Sequence, residues 1–232
     1  MKNTNKLFAF VICAVMTIGL SGCFGKDPKE DLLEHLEKKY SDDNFTWYCN
    51  ELGSEGKKRK DFEIKVHSDK FPKAEIHAAR KDYNGKLYYY DNYASYCLEK
   101  PACEYVHDIA EEIFGECKVF YRAPIDLMFS DPSVTPETKP DDFLKSKNMG
   151  YMSIYLFSEG YKGLDEEKVG EMLEIIKGQV WQLPIDIYLF NEDVYSAISS
   201  YDDFSEKDIK DACFINSIGT PKFQIEWSKK HI

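Results

Sequence analysis

The residues best placed to bind a metal lie in one predicted helix. Cys103, His107 and Glu111 follow one another at intervals of four residues, and a histidine and a glutamate at that spacing can meet on one helical face. On a helical wheel, however, Cys103 falls on the apolar face, His107 at its edge and Glu111 on the polar side. Because the three side chains diverge, we predict no metal site, and no other pattern in the sequence indicates a cofactor.

The chain contains one partial match to a catalytic motif. Ser54 and Lys57 have the Ser-x-x-Lys spacing of penicillin-interacting serine enzymes, but the companion Ser-Asp-Asn and Lys-Thr-Gly elements do not occur. The sequence also contains no Gly-x-Ser-x-Gly elbow, no His-Glu-x-x-His pattern, no Walker loop and no dinucleotide fingerprint. We therefore predict that the protein is not an enzyme. A hydrolase that uses acid/base carboxylates without a known motif is an alternative.

Tyrosines are unusually dense on both sides of residue 90. They are Tyr83, Tyr88, Tyr89, Tyr90, Tyr93, Tyr96 and Tyr105. In a strand, alternation places Tyr89 and Tyr93 on one face and sends Tyr88 and Tyr90 to the other. Tyrosine is an interface residue, since its ring is apolar and its hydroxyl forms hydrogen bonds. Tyr88, Tyr90 and Tyr93 are the candidate binding surface, and strand propensity with core filling is the alternative explanation.

The amino terminus has the pattern of an export signal. Lys2 and Lys6 precede an apolar run that begins at residue 7 and ends in the sequence Leu-Ser-Gly-Cys at residues 20–23. The run is too short for a membrane span and is expected to be removed. Its last four residues resemble the lipobox of bacterial lipoproteins. By that resemblance, residues 1–22 are the signal peptide, Cys23 becomes the lipidated first residue of the mature chain, and residues 23–26 form the lipid anchor and a short tether.

Five cysteines remain in the mature chain besides Cys23, and an odd number leaves at least one thiol outside any internal disulfide. They are Cys49, Cys97, Cys103, Cys117 and Cys213. Cys97 and Cys103 flank a segment that contains Pro101, and a tight connection there would bring the two cysteines within disulfide range. We predict this pair as the disulfide. A small buried apolar side chain is the alternative for each cysteine.

The composition is that of an acidic, folded protein. Without Lys2 and Lys6 the mature chain has 28 basic and 41 acidic residues, so its formal net charge is −13 where the full chain has −11. This charge disfavours nucleic acid as a partner and also disfavours broad electrostatic docking on anionic lipid. Aromatic residues make up 15% of the chain, which favours a folded domain over a disordered tail.

Hydrophobic periodicity predicts a mixture of helices and strands. Helices are expected at 28–40, 102–114 and 164–177 with weaker helical turns at 193–199 and 205–212, and strands at 44–50, 62–66, 74–81, 87–93, 117–121, 149–157, 184–190 and 223–227. Asn84 and Gly85 between two strands predict a hairpin with a type I′ turn. That turn fixes the register and places Arg80 opposite Tyr89.

These elements predict an α+β fold, a mostly antiparallel sheet with helices packed on one face. The helix-then-strand order recurs at 103–121 and 165–190, which suggests two similar halves. A proline-rich segment lies between them. We therefore expect a first half at 27–123, a connection at 124–140 and a second half at 141–232.

Location and composition together favour a binding role at the extracytoplasmic face of the cell membrane. We expect a lipid-anchored surface lipoprotein that contacts the membrane through its N-terminal lipid and acts as a binding or accessory module for an envelope protein. The acidity and the short tether also fit an immunity-type lipoprotein that neutralises a basic toxin or antimicrobial peptide. A steep fall of binding with salt would distinguish this alternative.

Overall fold

The structure is a computed structural model that describes residues 27–52, 61–123, 131–146, 150–158, 163–201, 203–216 and 224–228. Of residues 50–52, 158, 206, 216 and 224–228 it describes the backbone alone. The predicted signal peptide, the lipobox with Cys23, and the Ser54 and Lys57 pair lie outside the described residues. Within these ranges, no helix is both long enough and apolar enough to cross a bilayer.

The described residues form five α-helices and nine strands in two sheets. In chain order they are α1 (Pro28–Lys39), β1 (Phe45–Leu52), β2 (Phe62–Ser68), β3 (Ile76–Tyr83), β4 (Lys86–Asp91), α2 (Tyr93–Phe114), β5 (Cys117–Arg122), α3 (Pro140–Lys145), β6 (Tyr151–Ser158), α4 (Glu166–Gln179), β7 (Ile185–Asn191), α5 (Glu192–Ala197), β8 (Ile209–Asn216) and β9 (Gln224–Ser228). Strands β1–β4 form the first sheet and β5–β9 the second, each in sequence order. Only the β6–β7 pairing is parallel among the strand pairs of the described chain. The predicted α+β class with mostly antiparallel pairing is confirmed.

Helix α1 forms where the sequence predicts it. The carboxylate of Asp27 accepts a hydrogen bond from the backbone N–H of Lys29 at 2.9 Å, and Pro28 occupies the first turn, where its missing N–H costs nothing. Leu32 and Leu36 are fully buried against the first sheet. Helix α1 therefore covers one face of β1–β3.

The hairpin of β3 and β4 also has the predicted geometry. Asn84 and Gly85 have φ values of 56° and 83°, the two positive values that a type I′ turn requires. Arg80 pairs with Tyr89, as the turn predicts. The register is therefore fixed by two residues at the turn.

Helix α2 begins nine residues before the predicted position. Strand β4 ends at Asp91, and Tyr93 is already helical, with Pro101 inside the helix. Ala94, Leu98 and Ala102 continue the buried stripe at intervals of four residues. The run of tyrosines and the proline hid this stripe, because both are typical of strands and turns rather than of a helix interior.

The second sheet contains a β6–α4–β7 crossover. Asp165 caps α4, accepting hydrogen bonds from the N–H groups of Glu167 at 3.0 Å and Lys168 at 3.4 Å. Helix α4 ends at a left-handed residue, Val180, with φ 60° and ψ 36°. The helical turn predicted at 205–212 is wrong for most of its length. Only a short 3₁₀ turn is present, at Glu206–Asp208, and strand β8 begins directly after it.

One apolar core connects the two sheets. Helices α2 and α4 pack on one face of the second sheet, and α2 also places Tyr93 in the core of the first. Helix α5 packs on the opposite face of the second sheet, so helices cover both of its faces. The predicted division at 124–140 does not follow the sheets, because β5 pairs with β6. The similarity of the two halves stays a prediction.

Candidate binding surface

The face of the first sheet that points away from α1 carries Tyr83, Tyr88 and Tyr90, and we call it the tyrosine face. Alternation and the register of β2–β4 place a set of side chains on this face: Glu63, Lys65, His77, Ala79, Lys81, Tyr83, Lys86, Tyr88 and Tyr90. Tyr83 is 53% exposed, and Tyr88 and Tyr90 are half-buried. The structure therefore brings two of the three predicted binding residues to one surface.

Lysines lie over the rings of the tyrosine face. The Lys86 ammonium is 5.0 Å from the centroid of the Tyr88 ring, and the Lys81 ammonium is 5.8 Å from that of Tyr90. Tyr83 and Tyr88 meet edge to face with their centroids 5.6 Å apart. Burial raises the pKa of the Tyr90 hydroxyl, which therefore stays neutral. These contacts position the rings before any partner binds.

Tyr93 does not belong to this surface, and its assignment there is wrong. It is fully buried, because it begins α2 and points into the core between Tyr40 and Phe45. Its hydroxyl donates a hydrogen bond to the Asp43 carboxylate at 2.8 Å. Burial and this hydrogen bond raise the pKa of Tyr93. Tyr93 therefore has a structural role.

The predicted disulfide between Cys97 and Cys103 is also wrong. Both thiols are free, and both residues lie in α2 six positions apart. Six residues of helix rise by about 9 Å, more than the roughly 7 Å between Cα atoms that a disulfide can span. Burial raises the pKa of Cys97 to about 11 and that of Cys103 to about 12, so both stay protonated. Cysteine reactivity is not favoured at either position.

His77 lies at the centre of the tyrosine face with its side chain only 4% exposed. Its Nδ1 is 3.1 Å from the Glu63 carboxylate and its Nε2 is 2.9 Å from the Glu75 carboxylate. Burial lowers the pKa of His77, but the two carboxylates raise it by more, and the net direction is upward. With an acceptor at each nitrogen, the imidazolium form is favoured. Sequence reasoning missed this group, because the pairing of β2 with β3 brings Glu63 to His77, and Glu75 lies two residues away, just before β3.

A pocket of about 380 Å³ lies where the β2–β3 connection meets α2. It is lined by Lys70, Phe71, Pro72, Lys73, Ala74, Tyr96 and Glu99. The Tyr96 hydroxyl donates to the backbone oxygen of Glu75 at 3.0 Å, which holds the ring in place. Burial raises the pKa of Glu99. The pocket could not be predicted from the sequence, since Tyr96 and Glu99 lie in the part of α2 that precedes the predicted helix.

The outer face of the second sheet is the one on which α5 packs. The rings on this face and those packed against it form what we call the aromatic cluster, which differs from the tyrosine face. It contains Phe120, Tyr155, Phe157, Tyr188, Phe190, Tyr195 and Phe204. Tyr155 and Phe190 are fully buried, with ring centroids 5.3 Å apart. At its edge, burial raises the pKa of Asp186 to about 6, and the Tyr188 hydroxyl donates to this carboxylate at 3.3 Å.

Comparison with known proteins gives one structural match. No family model matches the sequence, and no curated protein matches it. The structure of a DUF5037 family protein from Ruminococcus gnavus aligns over 85% of this chain and 94% of its own, with 15% identity and a TM-score of 0.41. A similarity at this level supports no inference about function.

Proposed function

We propose that the protein is a lipid-anchored binding module at the extracytoplasmic face of the cell membrane, and that its tyrosine face binds an envelope protein. The lipobox-like residues 20–23 support the anchor. Only residues 24–26 separate Cys23 from the cap of α1, so the globule stays close to the bilayer. A partner is therefore expected in the same membrane or directly beside it.

The observation that carries the proposal is the pair of partly exposed rings at Tyr88 and Tyr90, each with a lysine over it. Residues two apart in a strand are separated by about 7 Å, so the rings form a flat strip about two side chains long. Rigid aromatic side chains lose little conformational entropy on binding, and they dominate the energy of many interfaces. This strip is suited to a flat, weakly polar protein surface.

The lysines on the tyrosine face argue against the first alternative, the neutralisation of a basic toxin or antimicrobial peptide. A basic toxin or antimicrobial peptide would meet Lys81 and Lys86 on the tyrosine face, and like charges oppose binding there. Neutralisation of a basic peptide therefore requires another surface of this acidic chain. Capture that is lost at high salt and unaffected by changes at Tyr88 and Tyr90 would favour that alternative.

The hydrolase alternative requires two carboxyl groups in one cleft. Burial raises the pKa of Glu99 and of Asp186, the kind of shift that a general acid needs. Glu99 is on α2, which packs on one face of the second sheet, whereas Asp186 is among the residues of the opposite face. Glu99 and Asp186 therefore do not form an acid/base pair.

The test is a crosslinked pull-down from native membranes with the anchored wild type, a secreted Cys23→Ser form and a Tyr88→Ser/Tyr90→Ser variant. Tyr151→Ser/Val180→Ser is the matched control, because both of its residues are exposed elsewhere, at 41% and 58%. We expect a specific protein with the wild type and the control, and recovery at least tenfold lower with Tyr88→Ser/Tyr90→Ser. Equal recovery with all anchored forms would exclude the tyrosine face as the binding surface.

A further inference from the structure

The turn of the first hairpin exposes apolar groups on both sides of the sheet, and we call residues 83–87 the hairpin tip. Tyr83 is 53% exposed on the tyrosine face, and Leu87 is 43% exposed on the opposite face. Lys86 is exposed between them. A protein partner that docks flat on the tyrosine face would cover Tyr83 and leave Leu87 in water. A layer that surrounds the tip from both sides would cover both.

Helix α1 runs along the first sheet from the hairpin tip toward the opposite end. Near its start, the Asp31 carboxylate is 3.0 Å from the Arg80 guanidinium and accepts a hydrogen bond from the Tyr89 hydroxyl at 2.8 Å. At its end, Lys39 pairs with Asp91 at 2.9 Å, and Asp91 is the last residue of β4. The direction of α1 is therefore set by contacts at both ends.

These contacts orient the start of α1 toward the hairpin-tip end of the first sheet. From Asp31 back to Asp27 the helix rises by about 6 Å, and from Arg80 forward to Tyr83 the strand rises by about 10 Å. Asp27 and Tyr83 therefore lie on the same side of the Asp31–Arg80 contact along the strands. Cys23 precedes Asp27 by four residues, which span at most about 14 Å. The lipid attachment point is therefore expected on the tip side of the first sheet.

We propose that the hairpin tip enters the headgroup layer of the bilayer that holds the lipid on Cys23. This proposal rests on the proposed lipid anchor. Tyrosine rings favour the membrane–water interface, and a lysine beside them can reach lipid phosphate while its stem stays in the apolar region. Contact at the anchor and at the tip would hold the first sheet upright, so that Tyr88 and Tyr90 face sideways toward neighbouring membrane proteins.

The charges around the hairpin tip indicate which force holds it. Residues 81–87 contain Lys81, Lys86 and Asp82, and Asp82 accepts a hydrogen bond from the Gly85 N–H at 2.7 Å. The formal net charge of this stretch is therefore only +1. We expect contact with neutral phosphatidylcholine as well as with anionic lipid, and little dependence on salt, because burial of Tyr83 and Leu87 drives it.

The test uses the lipidated protein in vesicles that contain phosphatidylcholine with brominated acyl chains, which quench nearby tryptophan. Tyr83→Trp reports on the tip, and Tyr151→Trp is the matched control because Tyr151 is also exposed and lies on the second sheet. The tryptophan emission of the wild type is subtracted from that of each variant. We expect the added emission of Tyr83→Trp to be blue-shifted and quenched at least twofold, and that of Tyr151→Trp to be unquenched.

Flotation of the same samples with the vesicles distinguishes failure of the tip proposal from failure of the proposed lipid anchor. Equal quenching of Tyr83→Trp and Tyr151→Trp in protein that floats would overturn the tip contact and leave the lipid anchor intact. Wild-type protein that does not float would overturn the anchor, and the tip proposal with it. Substitution of the exposed Tyr83 should not affect folding, and far-ultraviolet circular dichroism of each variant verifies this.

Discussion

The outer faces of the two sheets use the same kind of side chain in opposite ways. On the first sheet, Tyr88 and Tyr90 remain partly exposed, and lysines lie over their rings. On the second sheet, Tyr155 is fully buried among other rings. Helix α5 packs against β6 and β7 of this sheet. Aromatic density alone therefore does not identify a binding surface. Tyrosines become part of the core where other parts of the chain pack over them, and they remain available as an interface where nothing does.

The two faces also differ in how they treat a buried titratable group. Asp186 is half-buried with one weak partner, the Tyr188 hydroxyl at 3.3 Å, and its pKa is raised to about 6. His77 is buried with a carboxylate at each ring nitrogen, and its pKa is also raised. For the carboxyl group a raised pKa means that the charged form is disfavoured, whereas for the imidazole it means that the charged form is favoured. Burial raises the pKa of Asp186, whereas at His77 the two carboxylate partners outweigh burial.

The largest expected difference in stability is between a variant that loses a ring of the aromatic cluster and one that loses a ring of the tyrosine face. Tyr155→Ala should lower the free energy of unfolding by about 3–5 kcal/mol, because it leaves a cavity in a packed cluster. Tyr88→Ala should lower it by less than about 1 kcal/mol, because the ring is partly in water. Urea unfolding followed by circular dichroism measures both values. Similar losses for the two variants would show that the tyrosine face is also core.

A control separates the ring of Tyr155 from its hydroxyl. The hydroxyl donates to the backbone oxygen of Tyr201 at 3.0 Å. Tyr155→Phe keeps the ring and should cost about 1 kcal/mol, the net contribution of one hydrogen bond. A loss as large as that of Tyr155→Ala would mean that the hydrogen bond, and not aromatic packing, stabilises this face.

The next effect concerns Asp186 and pH. The folded state holds this proton more tightly than the unfolded state, whose pKa is near 3.8, so ionisation destabilises the protein as pH rises from about 4 to 6. The full shift corresponds to about 3 kcal/mol, and partial exposure reduces this to about 2 kcal/mol. Asp186→Asn should therefore be more stable than the wild type at pH 7 and equal to it near pH 3.5. A difference that does not change between these pH values would show that the carboxyl group titrates normally.

Local signals in the sequence were sufficient for several elements of the fold. Asp27 and Pro28 are local start signals of α1, whose start was predicted at residue 28, and Asn84 with Gly85 predicted both the turn and the register of β3 and β4. Each of these depends on backbone chemistry within a few residues. Such signals act wherever the segment lies in the fold.

The elements that were missed depend on tertiary contacts. The helical conformation of Tyr93 follows from the place it fills between Tyr40 and Phe45, which no local pattern shows. The error moved Tyr93 to the surface and made Cys97 part of a tight connection, so one missed boundary produced two wrong assignments, Tyr93 in the binding surface and the Cys97–Cys103 disulfide. Strand β8 was missed for a similar reason, since Asp211 is buried where a polar residue is not expected.

The smallest expected effect concerns His77 and sharpens the comparison with Asp186. Because its folded pKa lies above the usual 6.5, its stabilising contribution is complete below pH 6.5 and is lost as pH rises through the folded pKa. His77→Gln should therefore be less stable than the wild type by about 1 kcal/mol at pH 6, and the gap should narrow by pH 9. Unfolding at the two pH values, with Asp186→Asn in parallel, measures this. The change for Asp186→Asn occurs below pH 6 and that for His77→Gln above it, so coincident changes would contradict the assignment of separate groups to the two faces.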